Sequence, residues 1–352
     1  YGGNICWLNT SDLNDDEVHN SSKFITQIAI DDYSALKIFP AESIVIALYG
    51  ATIGKLGIIK KPMTTNQACC VINSNECLSS KYLFYFLLAS RNYLLSVAYG
   101  GGQPNISQDI IKKIHIPSIS IYEQIQIATY IDHHTSAIDR LITRKENLIN
   151  KLQEQRQAII NEVVTKGLNK DVEMKDSGVN YLGYIPENWK TKRVKHSCYV
   201  KGRIGWKGLK SDDYLESGYS YLVTGTDFTG QIVDWSSCHF IDKERYEEDP
   251  FIQLENGDLL ITKDGTIGKT TLVKNLDKPA CLNSGIFLVR SLIDELNINY
   301  LYWVLNSNVF KQYIDLTSSG ATIKHLYQNV FIEFEFALPT IQEQIDIQKF
   351  LF

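Results

Sequence analysis

Between Lys190 and Lys210 the chain carries Lys190, Lys192, Arg193, Lys195, Lys201, Arg203, Lys207 and Lys210, with no Asp or Glu in the run. Tyr199 and Trp206 interleave with them. Cations at this density suit contact with nucleic-acid phosphates, and Lys201, Arg203, Lys207 and Lys210 are the expected contacts. The competing reading is a solvated strand pair. Two glycine-rich stretches, Gly100 to Ser107 and Ser318 to His325, carry Gln103, Asn105, Ser107, Thr322, Lys324 and His325. Carboxamides read adenine edges bidentately and Lys reads guanine, so these residues are expected at base edges; the alternative is ordinary loop polarity.

Gly265-Thr266-Ile267-Gly268-Lys269 resembles a phosphate loop but lacks the spacing of one, because Lys263 stands where the first glycine belongs. Gly50 and Gly54 have only three residues between them. A hairpin turn with glycines at positive φ is the better expectation. It leaves Lys55 and Lys269 at loop tips, placed for a phosphate. No zinc-protease motif and no Pro-Pro of an adenine methyltransferase occurs. The seven cysteines are odd in number and show no CxxC pair, so neither a metal site nor a disulfide framework is expected. Small buried thiols in a reducing cytoplasm are the expectation instead. Carboxylates such as Asp212-Asp213 and Glu247-Glu248-Asp249 read as solvated surface charge. Binding rather than catalysis is the chemistry these residues offer.

The elements that position these residues come in two copies. Thr52-Ile53-Gly54-Lys55 returns as Thr266-Ile267-Gly268-Lys269, and Tyr82-Leu83-Phe84-Tyr85 returns as Tyr300-Leu301-Tyr302-Trp303. Thr65-Asn66 answers Leu282-Asn283, and Leu8-Asn9-Thr10 aligns with Leu222-Val223-Thr224. Each copy closes with Ile-Pro or Leu-Pro (Pro117, Pro339) and then Glu-Gln-Ile (Glu123 to Ile125, Glu343 to Ile345). The offset drifts only from 214 to 222, so this is a tandem duplication. Copy one lacks counterparts of about Tyr184 to Asp213, and copy two stops near the equivalent of Asp132; truncation at both ends is the expectation.

Residues 121–166 contain neither Pro nor Gly. Ile131, Ile138, Leu141, Leu148, Leu152, Ile159 and Val163 recur at helical spacing. Gly167 follows as a helix-terminating glycine. The rod is roughly 69 Å long at ~1.5 Å per residue, and its stripe calls for a partner. The expected organisation is α+β: a first domain over 1–120, a spacer helix over 121–168, a second domain over 169–338, and the start of a second helix over 339–352. At 352 residues and 44% hydrophobic the chain has the material for two cores. Its net charge of −5 excludes a uniformly basic coat. No apolar run approaches the roughly 18 residues that span a bilayer, so no membrane association is expected.

This pattern resembles the specificity subunit of type I restriction-modification enzymes. The resemblance rests on Ile116-Pro117 with Glu123-Gln124-Ile125, Leu338-Pro339 with Glu343-Gln344-Ile345, Asn256-Gly257-Asp258 with Gly265 to Gly268, and Tyr181 to Trp189 opening copy two. It implies two target-recognition domains, each reading half of a split asymmetric sequence in double-stranded DNA. It implies a helical spacer that docks modification subunits, with a restriction subunit as further partner. Catalysis, S-adenosylmethionine, Mg2+ and ATP would belong to those partners, with no cofactor here. The loss of helix partner expected from truncation suggests a homodimer through the spacer. The alternatives are the specificity region of a fused restriction-methylation enzyme, or a protein–protein scaffold that does not bind DNA.

Overall fold

The computed structural model describes residues 2–98, 104–203, 209, 213–317 and 325–352. The chain forms two compact units, Tyr1–Glu146 and Asn147–Phe352. The division falls inside the long helix, not at the expected domain edges near 120 and 168. The first unit contains β1 (Ile5–Leu8), β2 (Asp16–Val18), β3 (Lys23–Ile25), α1 (Gln27–Asp32), β4 (Ile44–Ala47), β5 (Leu56–Ile59), β6 (Thr64–Thr65), β7 (Cys69–Ile72), α2 (Ser80–Ala89), α3 (Arg91–Ser96) and α4 (Gln108–Lys112). The helix α5 (Ile121–Lys166) follows. The second unit adds β8 (Met174–Asp176), β9 (Tyr184–Pro186), β10 (Lys190–Arg193), β11 (Cys198–Gly202), β12 (Ser220–Val223), β13 (His239–Ile241), α6 (Lys243–Glu247), β14 (Leu259–Thr262), β15 (Thr270–Leu272), β16 (Ala280–Leu282) and β17 (Ile286–Ser291). It closes with α7 (Ile298–Leu305), α8 (Asn308–Thr317), α9 (Gln328–Phe331), β18 (Glu335–Leu338) and α10 (Ile341–Leu351).

Each unit is built on the same two sheets. A small sheet runs β3-β1-β6 in the first and β13-β12-β16 in the second, with the second and third strands parallel in both. A larger antiparallel triplet runs β7-β4-β5 in the first and β17-β14-β15 in the second. β4 and β14 are buried along their whole length, which explains their unbroken apolar sequences, Ile-Val-Ile-Ala and Leu-Leu-Ile-Thr. The flanking strands differ. β2 adds beside β5, where Gly57 is obligatory because a Cβ would meet Val18 at 2.7 Å and Leu13 at 2.9 Å. β11 adds beside β17 in the second unit, and β10 pairs with β18. The structure also shifts one sequence pairing by a residue. Leu8 accepts from Asn66 N as Val223 accepts from Asn283 N, so Leu8 corresponds to Val223 and not to Leu222.

The helix α5 runs as its missing Pro and Gly dictate, and Gly167 ends it at φ 79°, donating to Val163 O. From His133 to Arg156 every residue is exposed. Two members of the expected partner stripe are corrected: Val163 is buried in the second unit's core and Ile159 packs against that core. Ile131 is half-buried, whereas Ile138, Leu141, Leu148 and Leu152 are each more than half exposed.

The glutamine of each Glu-Gln-Ile motif is a buried clasp. Gln124 Oε1 accepts from Ser79 N at 2.9 Å, and its Nε2 donates to Cys77 O and Ile119 O at 2.9 and 3.1 Å. Gln344 repeats this on Asn297 N, Glu295 O and Pro339 O at 2.8, 2.7 and 2.9 Å. Each clasp ties the first turn of α5 or α10 to the loop that opens α2 or α7. One amide satisfies three backbone groups that the folded loop would otherwise strand.

Candidate nucleic-acid interface

The Thr-Ile-Gly-Lys motifs form the tips of the β4–β5 and β14–β15 hairpins. Gly50, Gly54, Gly265 and Gly268 lie at φ between 69° and 87°, where only glycine sits without strain. A strand returns after each turn where a phosphate loop requires a helix, so the phosphate-loop reading fails on topology as well as on spacing. In the second hairpin Thr262 Oγ1 accepts from Lys269 N at 3.0 Å. The Lys269 side chain is exposed and reaches Gly225 O only at 3.5 Å. Lys55 is half-buried at the equivalent place. The first hairpin is steadied by Arg91, whose Nε donates to Gly54 O at 3.0 Å and whose guanidinium pairs with Asp15.

The exit of each glycine-rich stretch returns to the same hairpin. Ile106 N donates to Leu48 O at 2.8 Å and Leu326 N to Lys263 O at 2.9 Å. These bonds set Asn105 against Tyr49 in the first unit, and His325 against the Asp264 carboxylate in the second. Each hairpin thus carries a tip lysine, Lys55 or Lys269, and receives a loop-exit residue, Asn105 beside Tyr49 or His325 beside Asp264. Tyr327, 58% exposed, contacts the His325 ring at a 4.5 Å centroid separation and extends the second edge. Ser107 has a local role, capping α4 by accepting from Ile110 N at 3.3 Å. Gln103, Lys207, Lys210, Thr322 and Lys324 lie outside the described residues.

The basic run divides on folding. Strand β10 lies antiparallel to β18, and this register sets Arg193 against Glu335. Arg193 bonds Glu335 and Glu333 at 3.1 and 3.3 Å, and Lys195 bonds Glu333 at 2.7 Å. The Lys195 ammonium correspondingly holds the Glu333 carboxyl below its ordinary range. Arg203 is corrected outright. It is 2% exposed, its Nε donates to Leu282 O at 3.0 Å, and its Nη2 lies 3.3 Å from Cys281 Sγ. A guanidinium held there braces β16 and is not offered to a phosphate. Lys201 keeps its ammonium near the surface, 5.6 Å from the centre of the 63% exposed Phe251 ring. It sits in register with Leu288, and through it with Leu260 of the hairpin strand.

Capping turns beside these edges escaped the sequence reading. Asn9 with Asp12, and Thr224 with Asp227, form matching capping boxes at the ends of β1 and β12. The signal was present as a polar residue followed three positions later by Asp.

A family model described as the type I restriction modification DNA specificity domain matches residues 1–151 and 186–352. The MjaVIII type I restriction enzyme specificity subunit of Methanocaldococcus jannaschii is 25% identical over 301 residues, covering 84% of this chain and 68% of that protein. The EcoBI specificity subunit of Escherichia coli is 23% identical over 300 residues, covering 82% of this chain and 62% of its own length. Among solved structures, a chain from a type I R-M system assembly aligns over 99% of this chain and 82% of its own, with a TM-score of 0.75 at 16% identity. The HsdS subunit from Thermoanaerobacter tengcongensis aligns over 99% and 81% respectively, with a TM-score of 0.60 at 16% identity. The last two likenesses speak to fold.

Proposed function

The chain belongs to the type I restriction modification DNA specificity family, and on that premise we propose that it is the non-catalytic recognition component of a restriction-modification complex, each repeat reading one half of a split duplex target. The observation that carries this reading is the repeated edge with unlike contents. The same hairpin and loop exit present Lys55 and Asn105 in one repeat, and Lys269, His325 and Tyr327 in the other. Identical edges would suit a palindrome, whereas unlike edges suit an asymmetric pair of half-sites. The tip lysines and Lys201 serve phosphates, and Asn105 and His325 face base edges.

In this reading α5 is the spacer, and its exposed residues Ile138, Leu141, Leu148 and Leu152 dock modification subunits. Adenine methylation, with S-adenosylmethionine, belongs to those subunits, and ATP- and Mg2+-dependent cleavage to a restriction subunit. Without modification subunits the same stripe pairs two copies of the chain. Such a complex works where cellular DNA lies, in the cytoplasm. Among the described residues no helix is long and apolar enough to cross a membrane.

The test is to co-express the chain with modification subunits in a methylation-free host and map the methylated adenines. A bipartite asymmetric motif with a fixed gap is expected. Methylation that does not depend on the chain, or a single palindromic motif, refutes the reading. Leu141→Asp with Leu152→Asp should release the modification subunits, or the second copy, by light scattering while leaving both units folded by circular dichroism.

A further inference from the structure

The two repeats share the triplet β7-β4-β5 and β17-β14-β15, yet their outer faces end differently. In the second repeat β11 covers the edge of β17, setting Lys201, Val200 and Tyr199 against Leu288, Val289 and Arg290. Leu288 and Val289 are then wholly buried. In the first repeat, among the described residues, no strand pairs with the outer edge of β7. Val71 and Ile72, the equivalents of Leu288 and Val289 by their register with the central strand, remain half-exposed.

A second difference agrees. β18 is a strand because β10 pairs with it. Its counterpart ahead of Pro117, Ile114 to Ile116, is unpaired and irregular. Between it and β7 opens an apolar groove of about 450 Å³, lined by Ile72, Leu83, Leu87, Ile111, Ile114 and Ile116. In the second repeat the equivalents of Leu83 and Leu87 are Leu301 and Leu305. They belong to one core with Trp189, Val194 and Val200, which are supplied by the segment that carries β10 and β11. Trp189 also donates its indole N–H to Glu343 at 2.9 Å. The equivalent Glu123 is exposed and, among the described residues, its carboxylate bonds only its own cap residue Ser120, at 2.9 and 3.1 Å.

We propose that the outer edge of β7 and the groove beside it are a strand-acceptor site for a segment patterned like Trp189–Gly202. The occupant is an antiparallel strand led in by a tryptophan and a short turn that buries a single valine, as Val194 is buried in the second repeat. The strand supplies backbone partners for β7, and the tryptophan and valines fill the groove, the recognition mode of strand addition to an open sheet edge. Leu48 N donates to Ala68 O, and the alternation of an antiparallel ladder then turns the N–H and C=O of Val71 outward, toward this strand.

The experiment titrates a fluorescein-labelled peptide of residues 186–203 into the full chain and follows anisotropy, with a scrambled peptide of equal charge as control. Hydrogen exchange is read in parallel. Saturable one-to-one binding is expected, with new amide protection across residues 69–73. Val71→Pro removes the outward donor and should weaken binding by about tenfold or more. Ile116→Asp lies outside the sheet and should weaken binding similarly while melting unchanged, so a folding defect in one variant does not decide the question. Equal binding of the scrambled peptide overturns the proposal, as does the absence of saturation at hundreds of micromolar. Protection confined to residues 286–291 also overturns it, by showing exchange with β11. Self-association that the peptide abolishes overturns the stated occupant in favour of a second copy.

Discussion

The glutamine clasp offers a perturbation whose size follows from the structure. Replacing Gln344 by Leu keeps the volume and removes the wholly buried amide that partners Asn297 N, Glu295 O and Pro339 O; the bond to Pro339 is buried and the other two are part-buried. A buried backbone group left unpaired costs about 1–3 kcal/mol. Three such groups set a ceiling that local relaxation and water at the two part-buried ones lower, and the extra apolar burial of Leu offsets about 1.5–3 kcal/mol. A net loss of about 2–4 kcal/mol is expected, a large share of the ~5–15 kcal/mol of an ordinary domain. Gln344→Glu gives a second, pH-dependent signature. Its carboxylate still accepts from Asn297 N but faces two carbonyl oxygens. Burial and those oxygens raise its folded pKa above the unfolded value, so the protonated acid is favoured in the native state. Stability is therefore greatest below the unfolded carboxyl pKa and falls as pH rises through the folded one. Urea unfolding followed by the fluorescence of buried Trp189 and Trp303 measures both effects. A Gln344→Leu variant within about 0.5 kcal/mol of wild type, the usual scatter of neutral surface changes, would refute the clasp as a stabilising element. So would a Gln344→Glu variant whose deficit is the same at pH 4 and pH 7.

Three further outcomes are expected. Lys55→Ala and Lys269→Ala should each weaken binding to all duplexes alike and flatten the log–log salt dependence by about 0.9 for each phosphate no longer neutralised, measured by titration at several ionic strengths. Arg203→Ala should cost about 2–3 kcal/mol of second-unit stability, from the missing charged hydrogen bond and the stranded Leu282 carbonyl, while leaving the salt slope of any surviving binding unchanged. Asp132 accepts from Lys81 and Tyr85 at 2.6 and 2.5 Å. Burial pushes its carboxyl up, but these two partners outweigh that and hold it below the ordinary 3.8. Its contribution is thus present above that value and lost as pH falls through the lowered one. Asp132→Asn should cost about 1–2 kcal/mol at pH 7, allowing for solvent screening, with the deficit closing below about pH 3.8 in acid-unfolding curves.

The repeat was readable because its landmarks answer backbone demands. Gly54 and Gly268 hold left-handed turns, and Gln124 and Gln344 close three backbone bonds each; such positions tolerate few substitutes, so they stay recognisable after the rest has diverged. The one-residue misalignment at Leu8 has the opposite cause: Trp7-Leu8 and Leu222-Val223 are apolar at both positions, and only the hydrogen bond from Asn66 or Asn283 fixes the register.

Charge and stripe were the harder readings, for a common reason. Neutralising Arg193 and Lys195 takes Glu333 and Glu335, about 140 residues away in sequence, brought close by a strand pairing that no local pattern announces. A run of cations along a chain is therefore not a basic face until its cross-strand neighbours are known, and a folded edge merits that description only where its lysines lack carboxylate partners. Likewise Leu152 and Val163 share one helical stripe in sequence, yet the first is 54% exposed and the second 5%. Periodicity fixes which side of a helix is apolar, and the packing along its length decides which apolar residues remain for a partner. Applied to the two repeats, this moves the proposed DNA-facing surface away from the densest run of charge and toward the hairpin tips, where Lys269 stands exposed and the loop exits carry different side chains in the two repeats.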